Sequence, residues 1–175
     1  MLDLLTGRLA GVDIVETRRT VGDLRDYWAD PGAIEDEGAL LYTTQSWFPE
    51  PDGTAGAVLF GNTTLMPGRV GGQPFMTRGH WHQKPSHGEL VMTVSGTGEI
   101  LLSEPVDPEA ADGERKPLRT RSEPMYPGSV HYIDGRLAHR TINTGDAPLV
   151  FLCAWPGDCG HDYESILRHG FEAPQ

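Results

Sequence analysis

Short apolar runs separated by glycine and proline are the feature that most limits what this chain can fold into. The runs are rich in β-branched and aromatic residues, and each is five to ten residues long, which is typical of strands. The sequence contains 22 Gly and 14 Pro, and turn residues at this density favour many short strands in a sandwich or barrel. The predicted strands cover residues 39–48, 57–66, 89–96, 98–104, 129–133, 139–143 and 148–155.

Two segments predict short helices, one before and one after these strands. Residues 20–32 begin with Thr20 as a cap and place Val21, Leu24 and Trp28 on one side of a helix. Asp-Pro-Gly ends that helix, because proline and glycine cannot continue it. The tail DYESILRHGF predicts one or two helical turns, whereas the acidic, proline-containing stretch at 104–119 predicts a surface loop.

A chain of 175 residues is long enough for one domain with a real core and short for two. We therefore predict one domain over residues 1–175, with a barrel core at about 40–156, an N-terminal extension at 1–38 and a C-terminal segment at 157–175. No apolar run approaches the roughly 18 residues that cross a bilayer, and the first residues lack the pattern of a signal peptide. The expected compartment is the cytoplasm.

The net charge limits the binding partners that are expected, and the cysteine content bears on whether a disulfide forms. Fourteen Lys and Arg against 25 Asp and Glu leave a net charge of −11, which repels nucleic acids and anionic membrane surfaces. The same charge opposes an anionic substrate, so a phosphate site must be built locally from backbone amides, hydroxyls and a few cations. Cys153 and Cys159 allow a disulfide, but in the cytoplasm two free thiols are favoured.

Two histidines stand two residues apart in the stretch GHWHQKPSHGEL, residues 79–90. Side chains at i and i+2 of a strand leave the same face, so His80 and His82 can direct both imidazoles at one point. The residues that follow have turn composition, so a hairpin returns Glu89 to their side. His139 opens a later predicted strand. Three imidazoles and a carboxylate suit a divalent transition metal with open coordination positions.

These residues also resemble the two motifs of the cupin superfamily, whose members are small jelly-roll-type β-barrels. The matching patterns are His80-x-His82-x6-Glu89-x6-Gly96 and Gly128-x10-His139-x3-Asn143. Within cupins, residues 65–84, 138–152 and 155–171 resemble the cupin-type, or archaeal-type, glucose-6-phosphate isomerases. The Gly-His-Asp-Tyr stretch at 160–163 is the most specific of these matches.

The resemblance implies an all-β, single-domain cupin with short terminal helical segments that interconverts glucose 6-phosphate and fructose 6-phosphate in glycolysis and gluconeogenesis. It implies one divalent ion per chain, with iron(II) as the usual native choice and manganese(II), nickel(II) or zinc(II) able to substitute. It also implies a homodimer joined through barrel strands. The metal ligands that it implies are His80, His82, Glu89 and His139.

The resemblance assigns substrate contacts too. Thr63, Thr77 and Gly79 match residues that hold the phosphate, and His161 and Tyr163 match residues that contact the sugar. A backbone amide and two hydroxyls bind a phosphate without a large positive charge. Additional cations near the mouth can come from Lys84 and Arg140.

Two mechanisms stay open at this point. Glu89 borders the metal and is the best-placed general base for moving hydrogen between C2 and C1, and a metal-directed hydride shift is the alternative. His161 is a candidate for opening the sugar ring or positioning its reactive end.

Departures from the family pattern leave other functions open as well. Val91 and Trp155 stand where the family usually carries tyrosines, so the walls of the sugar pocket differ. Isomerisation of another phosphosugar, such as mannose 6-phosphate, is therefore the nearest alternative. A metal-dependent cupin dioxygenase uses the same ligand types, and a non-catalytic sugar-binding cupin keeps only the barrel.

Overall fold

The computed structural model describes residues 1–171, so the last four residues of the predicted C-terminal segment lie outside the described part of the chain. Strands dominate, as the sequence predicts. They are β1 Ile14–Thr20, β2 Leu40–Trp47, β3 Val58–Leu65, β4 Arg69–Val70, β5 Gln73–Pro74, β6 Trp81–His82, β7 Glu89–Ser95, β8 Gly98–Pro105, β9 Pro117–Met125, β10 Val130–Ile133, β11 Ala138–Asn143, β12 Leu149–Pro156 and β13 His161–Asp162. The α-helix α1 spans Glu164–His169, and 3-10 helices span Gly22–Tyr27 and Pro31–Ala33.

Two antiparallel sheets form a jelly-roll-like barrel. The larger sheet has the strand order β1-β2-β3-β12-β7-β10, and the smaller has the order β11-β8-β9. The main core contains apolar side chains from both sheets, among them Leu41, Leu65, Val91, Ile100 and Leu102. Burying a side chain of this size stabilises a fold by about 1.5–3 kcal/mol. The prediction of an all-β barrel with short helical segments is confirmed.

The N-terminal helical prediction is confirmed in its contacts and wrong in its geometry. Thr20 caps the turn as expected, because its Oγ1 accepts a hydrogen bond from Asp23 N at 3.2 Å. Val21, Leu24 and Trp28 are all buried. The segment nevertheless forms 3-10 turns, and within residues 1–171 no helix is long and apolar enough to cross a membrane.

Besides the two-residue strands β4, β5 and β13, the sequence reading missed two longer strands, both of which lie at sheet edges. Strand β1 belongs to the predicted N-terminal extension, and its central residues are exposed, so it lacks the apolar alternation of a half-buried strand. Strand β9 begins at Pro117 and contains Pro124. Proline is tolerated on edge strands, where it removes no bond between strands of the interior.

The acidic segment that predicted a surface loop at 104–119 is anchored to the barrel through Gly113 and Arg115, and its two ends belong to strands β8 and β9. Arg115 is 8% exposed, and its guanidinium donates to the carbonyl oxygen of His82 at 2.7 Å and pairs with Asp112 at 2.8 Å. Gly113 N donates to Asp162 Oδ2 at 3.1 Å. The loop therefore braces the strand that carries His82 and the segment that precedes α1.

Candidate metal centre and adjoining cavity

Four predicted ligands converge where β6, β7 and β11 meet. The nitrogen and oxygen donors of these side chains all lie within 4.8 Å of one another, and we call them the donor cluster: His80, His82, Glu89 and His139. Glu89 Oε2 lies 3.5 Å from His82 Nε2 and 3.6 Å from His139 Nε2. Ligand atoms around one ion with metal–ligand distances of about 2.0–2.2 Å are about 3–3.5 Å apart, so the spacing fits a single ion.

Glycine at position 79 lets the two histidine-bearing segments approach. Gly79 has a φ of +76°, and a Cβ there would lie 3.1 Å from Arg140 Cβ and 3.2 Å from the carbonyl oxygen of His139. The main chains of His80 and His139 then exchange two hydrogen bonds, at 3.1 and 3.0 Å. A side chain at this position would push His80 away from His139 and open the donor cluster.

The imidazoles are oriented by their other ring nitrogens. His82 Nδ1 contacts the carbonyl oxygen of His87, and His139 Nδ1 faces that of Leu137 at 3.4 Å. These contacts place the Nδ1 hydrogens on the carbonyls and leave the Nε2 lone pairs facing the cluster. Within residues 1–171, the Nε2 atoms of His80, His82 and His139 are buried without a hydrogen-bond partner. A buried unpaired polar atom costs about 1–3 kcal/mol, a cost that a bound cation removes.

Charge at the cluster also suits a cation. Burial by itself would raise the pKa of Glu89, but the facing imidazoles of His139 and His82 outweigh it and bring that pKa below its ordinary value. Burial, together with the neighbouring imidazoles, holds the pKa of His80 well below its usual range. The cluster therefore presents an ionised carboxylate and a neutral imidazole, which are the protonation states of metal ligands. These residues fit a divalent ion.

A cavity of about 300 Å³ opens beside the donor cluster inside the larger sheet. Its volume suits a small metabolite. The inward-facing residues of β2, β3, β7 and β12 line it, including Val91 and Trp155, the two departures from the family pattern. Trp155 packs on Gly61, where a Cβ would lie 3.2 Å from the indole. Tyr42, which also lines the cavity, supplies a phenol that the sequence reading did not assign.

All the predicted substrate-contacting residues lie on this cavity. Four of them, without His161, form together with one unpredicted arginine what we call the polar lining: Thr63, Thr77, Arg78, Gly79 and Tyr163. Thr77 Oγ1 accepts a hydrogen bond from Thr141 N at 3.0 Å, so its own hydrogen is free to donate towards the cavity.

Arg78 is the functional candidate that the sequence reading missed. Its guanidinium stacks 3.5 Å from the centroid of the Tyr163 ring, and its Nε is buried without a partner among the described residues. Six other arginines of residues 1–171 pair with carboxylates, whereas no such ion pair involves Arg78. The signal in the sequence was a cation placed between Thr77 and Gly79.

The two cations expected near the mouth lie elsewhere. Lys84 pairs at the surface with Asp158 at 2.5 Å. Arg140 is buried, donates to the carbonyl oxygen of Arg78 at 2.8 Å and faces the Phe171 ring. Burial lowers the pKa of Arg140 to about 10, against the opposing effect of Tyr27 and Tyr42. Arg140 therefore supports the backbone of Arg78 from behind the cavity wall.

His161 reaches the site because β13 pairs with β6, which sets His161 opposite His82. The His161 ring lies 4.5 Å from that of His80 and 5.7 Å from that of Tyr163, centroid to centroid. Burial lowers the pKa of His161 to about 4, with a further contribution from His82. A neutral imidazole thus stands between the donor cluster and the polar lining.

Comparisons with known proteins agree with this geometry. A family model described as Glucose-6-phosphate isomerase (GPI) matches residues 19–173. The chain belongs to the glucose-6-phosphate isomerase family. The glucose-6-phosphate isomerase of Thermococcus kodakarensis is 36% identical over 173 residues, which cover 97% of this chain and 84% of the relative. That of Pyrococcus furiosus is 34% identical over 174 residues, with the same coverage.

More distant proteins are similar too. A putative glucose-6-phosphate isomerase 2 of Rhizobium meliloti is 33% identical over 173 residues, covering 97% of this chain and 80% of that protein. Among solved structures, oxalate decarboxylase from Bacillus subtilis superposes with a TM-score of 0.45 at 22% identity, over 69% of this chain and 26% of the other. CapF gives a TM-score of 0.47 at 18% identity, over 66% and 27%.

Proposed function

We propose that this chain interconverts glucose 6-phosphate and fructose 6-phosphate with one divalent ion in the donor cluster. One observation carries the proposal: the cluster opens onto a cavity that also exposes an arginine with no carboxylate partner among residues 1–171. A cation site for the reactive carbons and an anion site for the phosphate therefore share one cavity. Membership of the glucose-6-phosphate isomerase family supports the reaction.

The polar lining binds the phosphate in this proposal. Arg78 supplies the positive charge that a chain of net charge −11 otherwise lacks, and its planar fork suits phosphate oxygens. The hydroxyls of Thr63 and Thr77 donate to the same group. Stacking on Tyr163 restrains the guanidinium before the substrate arrives, so less conformational entropy is lost when the phosphate binds.

The chemistry takes place at the donor cluster. A divalent ion bound there supplies Lewis-acid polarisation of the carbonyl of the open-chain sugar. Glu89 is proposed both as a ligand and as the general base: its carboxylate removes the proton from C2 and returns it to C1, while the proton on O2 passes to O1. His161, neutral and next to His80, is proposed to open the ring or to position its reactive end.

Iron(II) is the proposed native ion, with manganese(II), nickel(II) or zinc(II) as substitutes, because three imidazoles and a carboxylate suit each of them. The proposed setting is the cytoplasm, where the reaction serves glycolysis and gluconeogenesis. The domain proposal is a single cupin domain over the whole chain, since one core joins both sheets.

A homodimer is proposed to form through the outer face of the larger sheet. Strand pairing aligns a continuous apolar series across all six strands, the outer apolar row: Ile14, Trp47, Phe60, Ala154, Leu90 and Tyr132. Trp47, Leu90 and Tyr132 are 45%, 47% and 71% exposed. A contiguous exposed apolar surface marks an interface, and a second copy can cover it symmetrically.

Leu90→Glu should yield monomers in sedimentation equilibrium, whereas Val106→Glu, at an exposed site in the acidic loop, should not.

The central experiment measures isomerisation by metal-loaded protein. Rates with glucose 6-phosphate, fructose 6-phosphate and mannose 6-phosphate are compared at equal concentration, and oxygen uptake is followed in parallel. We expect interconversion of the first two without oxygen consumption. A higher kcat/KM for mannose 6-phosphate would reassign the substrate, and metal-dependent oxygen uptake would instead favour a dioxygenase.

A further inference from the structure

A second set of metal-ligand donors adjoins the donor cluster and includes a thiol that the proposed reaction does not use. The donor atoms of His82, Cys159 and His161 all lie within 4.8 Å of one another. Cys159 Sγ is 3.9 Å from His161 Nε2, and Cys159 is 1% exposed. His82 Nε2 is buried and has no hydrogen-bond partner among the described residues.

The fold holds these three side chains together through the main chain. His161 and His82 are directly paired residues of β13 and β6. Cys159 lies in the turn that enters β13, where its carbonyl oxygen accepts a hydrogen bond from Lys84 N at 2.9 Å and its N–H donates to Pro156 at 3.1 Å. The thiol is therefore fixed beside the two imidazoles by the same strand pairing that places His161 at the cavity.

The distances suit a metal ion with one sulfur and two nitrogen ligands. At metal–ligand distances of about 2.3 Å to sulfur and 2.0–2.1 Å to nitrogen, a tetrahedral ion separates the two atoms by about 3.5 Å. The observed 3.9 Å between Cys159 Sγ and His161 Nε2 closes to that value with a small side-chain rotation. Thiolate ligands select soft ions, in contrast to the carboxylate of the donor cluster.

We propose that His82, Cys159 and His161 form an alternative metal position that takes a thiophilic divalent ion such as Zn²⁺ or Cd²⁺. Binding forms a bond from Cys159 Sγ to the ion, and the thiol proton leaves to solvent. The ion's oxidation state does not change. Water or another small donor fills the fourth coordination position.

Ions cannot occupy the alternative position and the donor cluster at the same time, because both positions need the lone pair of His82 Nε2. His82 Nδ1 is engaged by the carbonyl oxygen of His87, so Nε2 is its only free donor. An ion at the alternative position takes that nitrogen from the donor cluster and withdraws His161 from the substrate. As far as it concerns catalysis, this consequence rests on the proposed function: a soft ion at Cys159 inhibits the isomerase.

The test uses Cd²⁺ as the probe and near-ultraviolet thiolate-to-cadmium charge-transfer absorption as the readout. Metal-free wild-type protein is titrated alongside C159S, H139A and C153S. His139 belongs only to the donor cluster and Cys159 only to the alternative position. Cys153, which lies beside Glu89, is the matched control for the other thiol.

We expect the absorption in wild type, H139A and C153S, and its loss in C159S. Its absence from wild type, or its loss in C153S with retention in C159S, overturns the proposal. If circular dichroism shows that C159S is unfolded, C159A takes its place. A thiolate signal in wild type that is lost in C153S still overturns the proposal.

Activity separates this proposal from the proposed function. Cd²⁺ should inhibit Mn²⁺-loaded wild type more strongly than Mn²⁺-loaded C159S, whose Mn²⁺-dependent activity should match that of wild type. Equal inhibition of the two proteins would refute the inhibitory consequence. If Mn²⁺-loaded wild type shows no isomerase activity, the proposed function fails while the absorption result still decides whether the alternative position exists.

Discussion

The donor cluster and the polar lining share one cavity but are built in opposite ways. In the donor cluster His82, Glu89 and His139 are 0%, 7% and 6% exposed, and backbone carbonyls orient two of the imidazoles. The polar lining takes its members from β3, from the loop before β6 and from the C-terminal segment, and an aromatic ring restrains its arginine.

The difference matches what each region is proposed to bind. A metal ion needs several donors at one distance, so its ligands must be rigid and dehydrated before it arrives. A phosphate offers several oxygens over a wider volume, and a few donors that stay partly hydrated can bind it. We therefore expect changes in the donor cluster to act on kcat, and changes in the polar lining to act mainly on KM.

Removing the metal should have the largest effect. Chelation should abolish isomerisation, and iron(II) or manganese(II) should restore it at close to one ion per chain, because the buried imidazole nitrogens have no other partner among residues 1–171. Metal content by mass spectrometry and activity are measured on the same samples. Full activity in metal-free protein would contradict the role of the donor cluster.

Glu89→Gln should come next. An amide oxygen can still coordinate a hard ion but cannot accept the C2 proton, and the loss of a general base costs about 10²- to 10⁴-fold in kcat. The variant is assayed at confirmed one-to-one metal occupancy, with Glu104→Gln on an exposed site of β8 as control.

Solvent deuterium incorporation into the product distinguishes the two mechanisms. Near-normal kcat in Glu89→Gln, with no label from solvent in the product, would overturn the general-base role. That outcome would favour a hydride shift between C2 and C1, for which no residue of the chain needs to accept the proton.

Arg78→Gln should lower kcat/KM for the phosphorylated sugar by about 10- to 100-fold, since a hydrogen bond to a charged group contributes about 1.5–3 kcal/mol. Inhibition by inorganic phosphate should weaken in parallel, and Arg78→Lys should recover part of the loss. Arg69→Gln, at an exposed site in the same region, is the control. Unchanged inhibition by phosphate would remove Arg78 from the anion site.

Thr77→Val should have the smallest effect, about tenfold in kcat/KM and mainly through KM, because one neutral hydroxyl is lost. The change also removes the acceptor of Thr141 N, so Thr77→Ser, which keeps the hydroxyl, should behave like wild type. Thr64→Val is the matched control, since Thr64 neighbours the inward-facing Thr63 on the opposite face of β3. A larger effect on kcat than on KM would contradict the expectation that changes in the polar lining act mainly on KM.

Much of the barrel was predictable because its central strands are buried and apolar. The seven predicted strands correspond to β2, β3, β7, β8, β10, β11 and β12. Edge strands β1 and β9 were not predicted. One side of each has no neighbouring strand, so fewer of its residues need to be apolar. The 3-10 geometry of Gly22–Tyr27 was not predicted either, since the burial of Leu24 is compatible with either helix type.

The sequence by itself determined that His80 and His82 can share one face, because the period of two along a strand is a local property. The predicted hairpin does not bring Glu89 to them: β6 pairs with β13, whereas β7 pairs with β10 and β12, so tertiary packing brings Glu89 and His139 to the donor cluster. The sequence also determined the net charge, because that charge is a sum over residues. A net charge of −11 repels an anion, so any phosphate site must be built from nearby amides, hydroxyls and cations. Only the tertiary structure distinguished the cation that we propose for that site. Lys84, Arg78 and Arg140 look alike in a sequence, and pairing with Asp158, stacking on Tyr163 and burial behind the wall separate them. The same holds for Cys159: His161 follows it by two residues, but only strand pairing across the chain brings His82 to them.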